Sequence, residues 1–299
     1  MPGLVLPALA ALALGLPAAG GQHRLHPRIA ARALALATGA LALAVFTAVA
    51  TVAVGFVTAV PWVEAHLPWC RGAGAHHAVP VWLGLPALGV LGTMAVSAVR
   101  AYRAARHELW APPGHGGALR VVDDERPEAY AVGGGEAHVV VSTGMLRLLD
   151  PAEREVLLAH ERSHLRHRHH RHLTLARVTA SAVPMLGFAT RRLRLAIERW
   201  ADEDAVAEVG GDRGLVARTV IRAALARNDY DGGAVLALGS VGVRARVDAL
   251  LQPAPARALR SVPVLIPAAG AVGLVLIGSA LQVHHFVALA FHICHLWGL

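Results

Sequence analysis

The sequence predicts an α-helical polytopic membrane protein with one inserted α+β domain, and three observations lead there. Charged residues make up 16% of the 299-residue chain against 55% hydrophobic ones, and mean hydropathy is +0.49. Soluble domains carry about 25% charged residues, so a single water-facing globule is excluded; the apolar content excludes disorder as well. Charge is also unevenly spread, because Asp, Glu, Lys and Arg are absent from residues 1–23, 33–63, 72–99 and 261–299. Finally, residues 107–260 combine short β-type runs with capped, amphipathic helical patterns. The net charge of +8 comes from arginine alone, since the chain has no lysine, and reflects compositional bias more than function.

Each charge-free stretch can supply the roughly 20 residues that a membrane span requires. The expected spans are about 3–22, 34–60, 79–99 and 262–283. Residues 1–106 then hold three transmembrane helices with their loops, and residues 261–299 hold the fourth helix and a short external tail. A signal peptide carries positive charge ahead of its apolar run, whereas Arg24, Arg28 and Arg32 follow this one. Arginines outside the spans accumulate on the cytoplasmic side. Arg24, Arg28 and Arg32, then Arg100, Arg103 and Arg106, then Arg257 and Arg260 mark that side. A multi-pass protein of the cell (plasma) membrane is expected, with the insert cytoplasmic and both termini outside. Cys70 and Cys294 would share the external side, where disulfides persist, and the sequence leaves open whether a bridge joins them. His66, His76, His77, His284, His285, His292 and His295 read as scattered interface histidines there. The run Val178–Thr190 is too short to span and contains Pro184, so it reads as a core helix or as a segment dipping into the membrane.

Within the insert, Leu119–Val122, Ala129–Val132 and His138–Val141 are short, β-branched runs punctuated by Gly133–Gly135, which predicts a small antiparallel sheet. Asp150 then offers an N-cap, Pro151 a first helical residue and Glu153 the return partner of a capping box. The helix so started is expected to run from 151 to at least 172. A second amphipathic helix is expected from about Arg191 to Val209, stopped by Gly210-Gly211.

The chemistry sits on the first of these helices, in His160-Glu161-Arg162-Ser163-His164. Histidines four apart share a helix face, so both imidazoles can reach one ion. Glu161 can take a proton from a water beside that ion. With 18 histidines and 11 glutamates in the chain, chance supplies roughly 0.04 HExxH matches, and placement on a capped helix strengthens this one. Zinc needs a third protein ligand and an open position. Two candidates stand. His170 occupies the spacing of a third histidine, but the glycine that would let the chain leave the helix is replaced by His167. Glu198 lies on the second helix with Asp202 one turn away, so one carboxylate can bind while the other fixes a ligand imidazole. Helix geometry favours Glu198.

The HERSH segment, followed 34 residues after its second histidine by ERWADEDA, resembles the glutamate-zincin (gluzincin) peptidases of membranes, the HtpX and CAAX prenyl protease type. The run Val139–Glu153 together with Leu157–Leu165 is similar to the BlaR/MecR antirepressor family of membrane zinc metallopeptidases. The resemblance covers residues 118–250 and implies a zincin-like metallopeptidase domain at 107–260. It implies one Zn2+ held by His160, His164 and Glu198, with Glu161 as general base and Asp202 as the partner that orients a ligand. The implied activity is zinc-dependent endopeptidase cleavage of a protein substrate, a repressor or a membrane protein. A non-catalytic signalling receptor or scaffold with a structural zinc is the alternative; a transporter would carry polar groups within its spans.

Two departures accompany the resemblance. The position near His169, often acidic in that family, is basic here, and no penicillin-binding sensor domain is expected in the roughly 16 residues after the fourth span. The resemblance also implies that Val139–Ser142 is an edge strand receiving an extended substrate peptide. Arg244 and Arg246 are candidate oxyanion partners that read more simply as surface or ion-pair arginines. The basic run Arg166–His172 suits either lipid headgroups or a solvated helix end. No nucleic-acid-binding motif accompanies the arginines, so the expected partners are a peptide substrate and the lipid bilayer. The sequence does not set an oligomeric state.

Overall fold

A computed structural model describes residues 26–66, 79–109, 118–133, 137–230 and 236–254, with four isolated positions between 273 and 281. The expected first span, nearly all of the fourth, and both cysteines lie outside the described residues. The described chain runs α1 (Pro27–Thr58), α2 (Pro61–His66), α3 (Val81–Leu109), β1 (Leu119–Val122), β2 (Ala129–Val132), β3 (His138–Ser142), α4 (Thr143–Leu148), α5 (Pro151–Arg166), α6 (His169–Ala182), a 3-10 turn (Pro184–Leu186), α7 (Gly187–Glu208), α8 (Arg213–Tyr230) and α9 (Leu236–Leu250).

Two of these helices, over Pro27–Thr58 and Val81–His107, are long and apolar enough to cross a membrane. They form an antiparallel pair in which Gly84 lets α3 approach the ring of Phe56; a Cβ at Gly84 would collide with that ring. Hydroxyls along α1 are satisfied within the helix, with Thr38, Thr47, Thr51 and Thr58 each donating to the carbonyl one turn back. That arrangement suits a segment deprived of water.

The sheet has the order β1-β3-β2 and is mixed. β2 pairs with β3 antiparallel, as the Gly133–Gly135 turn predicts, but β1 pairs with β3 in parallel. The antiparallel expectation is therefore corrected for one of the two ladders. Strand composition reports burial and not direction, and the intervening β2 is what carries the chain back to β1's direction. A second correction follows. β3 is the central strand, with Val139, Val140, Val141 and Ser142 all buried, so both its edges are taken; among the described residues β1 and β2 are the outer strands.

Ser142 ends β3 and at once caps α4, its Oγ accepting from the Met145 N–H at 3.0 Å. The capping box expected at Asp150 is present: Asp150 Oδ1 accepts from Glu153 N–H at 2.9 Å and Glu153 Oε2 from Asp150 N–H at 3.1 Å. The helix it starts is shorter than expected. α5 ends at Arg166 and the chain reverses at Arg168, which holds the left-handed conformation (φ 52°, ψ 44°). No glycine or proline marks that break. A left-handed residue with a side chain costs about 1–2 kcal/mol, and glycine's greater freedom when unfolded cancels about 0.5–1 kcal/mol of the gain from replacing it. Arg168→Gly is therefore expected to stabilise the fold by about 0.5 kcal/mol, seen as a higher melting temperature. A lower one would show that the Arg168 side chain contributes more than its backbone strain costs.

The run Val178–Thr190 is neither one core helix nor a span: it closes α6, forms the turn at Pro184 and opens α7. α7 starts at Gly187, ahead of the expected Arg191, and ends where predicted, with Gly210 and Gly211 at positive φ and the Gly211 N–H on Val206 O at 2.8 Å. α7 is the central element. On one face Leu193, Ala196, Ile197 and Trp200 pack against Ala30, Ala31 and Ala35 of α1 and Ala176 of α6. On the other, Ala205 and Val206 join Val156 and Ala159 of α5, Val216, Ala217 and Val220 of α8, and Leu250 of α9.

Candidate metal centre

α5 and α7 lie side by side, and the HExxH residues meet the acidic run of α7 at their crossing. His160 Nε2 and His164 Nε2 are 3.2 Å apart. Glu198 reaches them from α7, with Oε2 3.5 Å from His160 Nε2 and Oε1 3.9 Å from His164 Nε2. One donor atom from each of the three residues lies within 4.8 Å of the others, a group that could hold a metal ion. Two neutral imidazoles and a carboxylate are a donor set suited to zinc with one position left open. The side chains of His160, His164 and Glu198 are partly exposed, at 12%, 15% and 36%, and the open side faces a cavity.

Each donor is fixed from behind. Asp202, fully buried, places Oδ1 3.0 Å from His160 Nδ1. That contact puts the ring proton on Nδ1 and leaves Nε2 as the donor atom. Arg246 of α9 grips both carboxylates: Nε donates to Asp202 Oδ2 at 2.8 Å, Nη2 to Asp202 Oδ1 at 2.6 Å, and Nη1 lies 3.0 Å from Glu198 Oε2. Burial is the largest influence on the Asp202 and Glu198 carboxyls and opposes their charge, but His160 and Arg246 beside them win and hold both below the usual carboxylate range. The reciprocal effect acts on His160. Burial works against its charged form, yet the Asp202 and Glu198 carboxylates push it up to about 10 in the metal-free protein.

His164 is held differently, its Nδ1 lying 3.0 Å from Nδ1 of His169. The left-handed turn at Arg168 is what folds His169 back onto it. Burial first, and then the His164, His167 and His172 rings, push His169 down to about 2, so it is neutral. If His164 offers Nε2 to an ion, its Nδ1–H donates to His169 Nδ1, and the His169 proton sits on Nε2, a buried atom with no partner among the described residues. A third contact braces the two helices: Asp204 Oδ2 accepts from Ser163 Oγ at 2.7 Å and lies 2.8 Å from His167 Nε2.

The cavity in front of the three donors measures about 870 Å³ and is lined by His160, Glu161, His164, Tyr130 and Ala131 of β2, and residues of α8 and α9. Glu161 is 8% exposed and faces this space with the donors. His170 also lines the cavity but stands against Gly133, where a Cβ would meet its ring, and is not in the metal-capable group. Arg244 is 86% exposed and sits 3.8 Å from Asp248. The structure therefore brings together His160, Glu161, His164, Glu198 and Asp202, while His170 and Arg244 line the same cavity without joining the metal-capable group. The reading of Arg246 as an ion-pair arginine holds, but its partners Asp202 and Glu198 were not legible in the sequence, because no periodicity links α9 to α7. The contact of His169 with His164 was missed as well, although the basic residue in a commonly acidic position was its signal.

Several curated proteins are similar to this chain over a short segment. The chain is 40% identical over 68 residues to a protein named "Protease HtpX homolog" from Acidiphilium cryptum, covering 22% of this chain and 24% of the relative. Proteins of the same name from Leuconostoc mesenteroides and Streptococcus gordonii are each 37% identical, over 68 and 75 residues, covering 22% and 24% of this chain and 23% and 25% of their own lengths. The chain thus matches about a quarter of the length of these curated relatives. No solved structure matches it. Residues 104–227, which carry the sheet, the HExxH helix and the Glu198 helix, match the family model of Peptidase family M48.

Proposed function

We propose that this protein is a membrane-embedded, zinc-dependent endopeptidase that hydrolyses peptide bonds of a protein substrate. The observation that carries the proposal is the opening of the His160, His164 and Glu198 donors onto a cavity shared with Glu161. A purely structural zinc site is normally closed by four protein ligands, which weighs against the scaffold alternative. Zinc, when held by His160, His164 and Glu198, supplies Lewis acidity for a peptide carbonyl and for a water beside it.

The chain's own residues do the rest. Glu161 accepts the proton of the attacking water and returns it to the leaving nitrogen. Asp202 keeps His160 in the tautomer and orientation that present Nε2, and Arg246 keeps both carboxylates in place. Substrate alignment falls to β2 instead of β3. Because Ser142 N–H bonds to Glu128 O at 2.9 Å, and antiparallel pairing alternates, Tyr130 bonds inward to β3 while Ala129 and Ala131 turn their main-chain groups outward. Arg227 Nη2 already caps Ala129 O at 3.0 Å. The N–H and C=O of Ala131, unpaired among the described residues, can therefore receive an extended peptide as an added strand beside the donors.

The family match, the HtpX-named relatives and the two apolar helices support a metalloprotease of membranes. The positions of Arg28, Arg32, Arg100, Arg103 and Arg106 support a cytoplasmic catalytic insert in a multi-pass plasma-membrane protein with both termini outside. The likeness of Val139–Glu153 to the antirepressor peptidases supports a signalling role with a repressor as substrate. Removing the metal provides the test. The purified full chain is expected to hold one zinc, to lose cleavage of an unfolded protein such as casein when 1,10-phenanthroline strips it, and to recover cleavage on zinc addition. A protein that holds one zinc and cleaves nothing would instead support the scaffold.

A further inference from the structure

Between Arg177 and Arg191 the chain carries no charged residue, and these residues form the tip of the α6–α7 hairpin. The tip does not fold back into the insert. Val183 and Leu186 pack with Met94 of α3 and with Leu41, Ala42, Val45 and Val49 of α1. Further from the tip, the Leu175 side chain lies against Gly39, and Leu193 packs with Ala30, Ala31 and Ala35. Position along α1 therefore measures depth. Leu41 and Val49 lie 9 and 17 residues beyond Arg32, the last charged residue before the apolar run. At the rise of a helix that is about 13–26 Å, well inside a hydrocarbon core about 30 Å thick.

The hairpin's chemistry fits that depth. Met185, at the tip, is 68% exposed. Thr179 Oγ1 donates to Leu175 O at 2.9 Å, and Thr190 Oγ1 lies within 3.3 Å of the Leu186 and Ala176 carbonyls, so both hydroxyls are satisfied without water. Arg191, Arg192 and Arg194 are exposed on α7, beside Leu193 and hence level with the turn of α1 that bears Arg32. Exposed arginines collared around an apolar wedge match the phosphates of anionic lipid, with their aliphatic stems lying along the acyl region.

We propose that the α6–α7 hairpin is a re-entrant wedge, with Val183–Phe188 among lipid acyl chains and Arg191, Arg192 and Arg194 on the phosphates of anionic phospholipid headgroups. It rests on the membrane-spanning reading of α1 and α3 given above. Glu198 stands one helical turn beyond Arg194, about 6 Å along the axis, so the wedge sets the height of the metal-binding group above the headgroups.

Depth-dependent fluorescence quenching tests this on the full chain carrying Cys70→Ser and Cys294→Ser. One labelled cysteine is introduced at a time: Met185→Cys, Leu175→Cys, Arg194→Cys, Leu43→Cys on the exposed side of α1, and Glu155→Cys on α5. The proteins are reconstituted in vesicles of phosphatidylcholine with or without phosphatidylglycerol. The 185 label is expected to match 43, quenched several-fold more than 155 by lipids brominated midway along the acyl chain and shielded from aqueous iodide, whereas 175, beside Thr190 and on the insert side of Arg177, is expected to lie shallower than 185. The 194 label is expected to respond most to headgroup-level quenchers and to gain iodide access when phosphatidylglycerol is omitted. Iodide access at 185 with 43 still shielded overturns the wedge alone. Iodide access at 43 overturns the membrane reading and the wedge with it. A 194 label indifferent to phosphatidylglycerol overturns the headgroup assignment.

Discussion

Glu161→Gln is expected to bind zinc as the parent does and to lose about 10²–10⁴-fold in kcat/KM, the range general acid–base catalysis supplies. The separation of binding from turnover follows from the helix. Glu161 is one residue from His160, so its side chain leaves α5 about 100° around from the donor face, and it is absent from the metal-capable group while lining the same cavity. Glutamine keeps the volume and the hydrogen-bonding reach but cannot accept and return a proton. Cleavage of a quenched fluorescent peptide, with zinc content measured on the same samples, checks it. Turnover at the parent rate would remove Glu161 from the reaction; loss of zinc would make it a ligand instead.

Replacing Arg246 has the largest expected effect on stability. Arg246→Met takes from Asp202, whose side chain is 2% exposed, the guanidinium that bonds to it twice, and removes the cation beside Glu198. Breaking a buried pair from one side costs about 3–5 kcal/mol. Disturbing the groups that orient metal ligands typically lowers metal affinity about 10–100-fold. Both readouts are accessible, by thermal melting in detergent and by zinc competition with a chromophoric chelator. Arg246→Lys is expected to fall between, because one ammonium cannot reproduce a fork that meets Asp202 twice and Glu198 once. Unchanged melting and zinc affinity in Arg246→Met would show that Asp202 and Glu198 hold their places without it.

What could be read from the sequence follows the range of each signal. His160 with His164, Asp150 with Glu153, and Glu198 with Asp202 are pairs three or four residues apart, where helical geometry forces proximity once the helix is recognised. The end of α5 carried no such mark, since a left-handed arginine has no residue preference to betray it, and the expected helix ran on past Arg166. The direction of β1 was hidden for another reason: parallel and antiparallel neighbours ask for the same β-branched side chains. Arg246 lies 44 residues from Asp202, and the tertiary contact between them depends on how α8 returns the chain. The same holds for His169, which meets His164 only because the helix breaks.

Trp200 carries a practical consequence. It is 1% exposed, two residues from Glu198, tilted against the His167 ring with centroids 4.4 Å apart, and covered by the guanidinium groups of Arg28 and Arg32 at 5.7 and 5.5 Å. Its lid thus comes from the first described helix, while its own segment arrives some 170 residues later in the chain. A trimmed gene beginning after α3 would express an indole with its roof removed, together with the bare alanine-facing stripe of α7. Such a product belongs in inclusion bodies, and crystallisation or screening efforts should keep the amino-terminal helices attached.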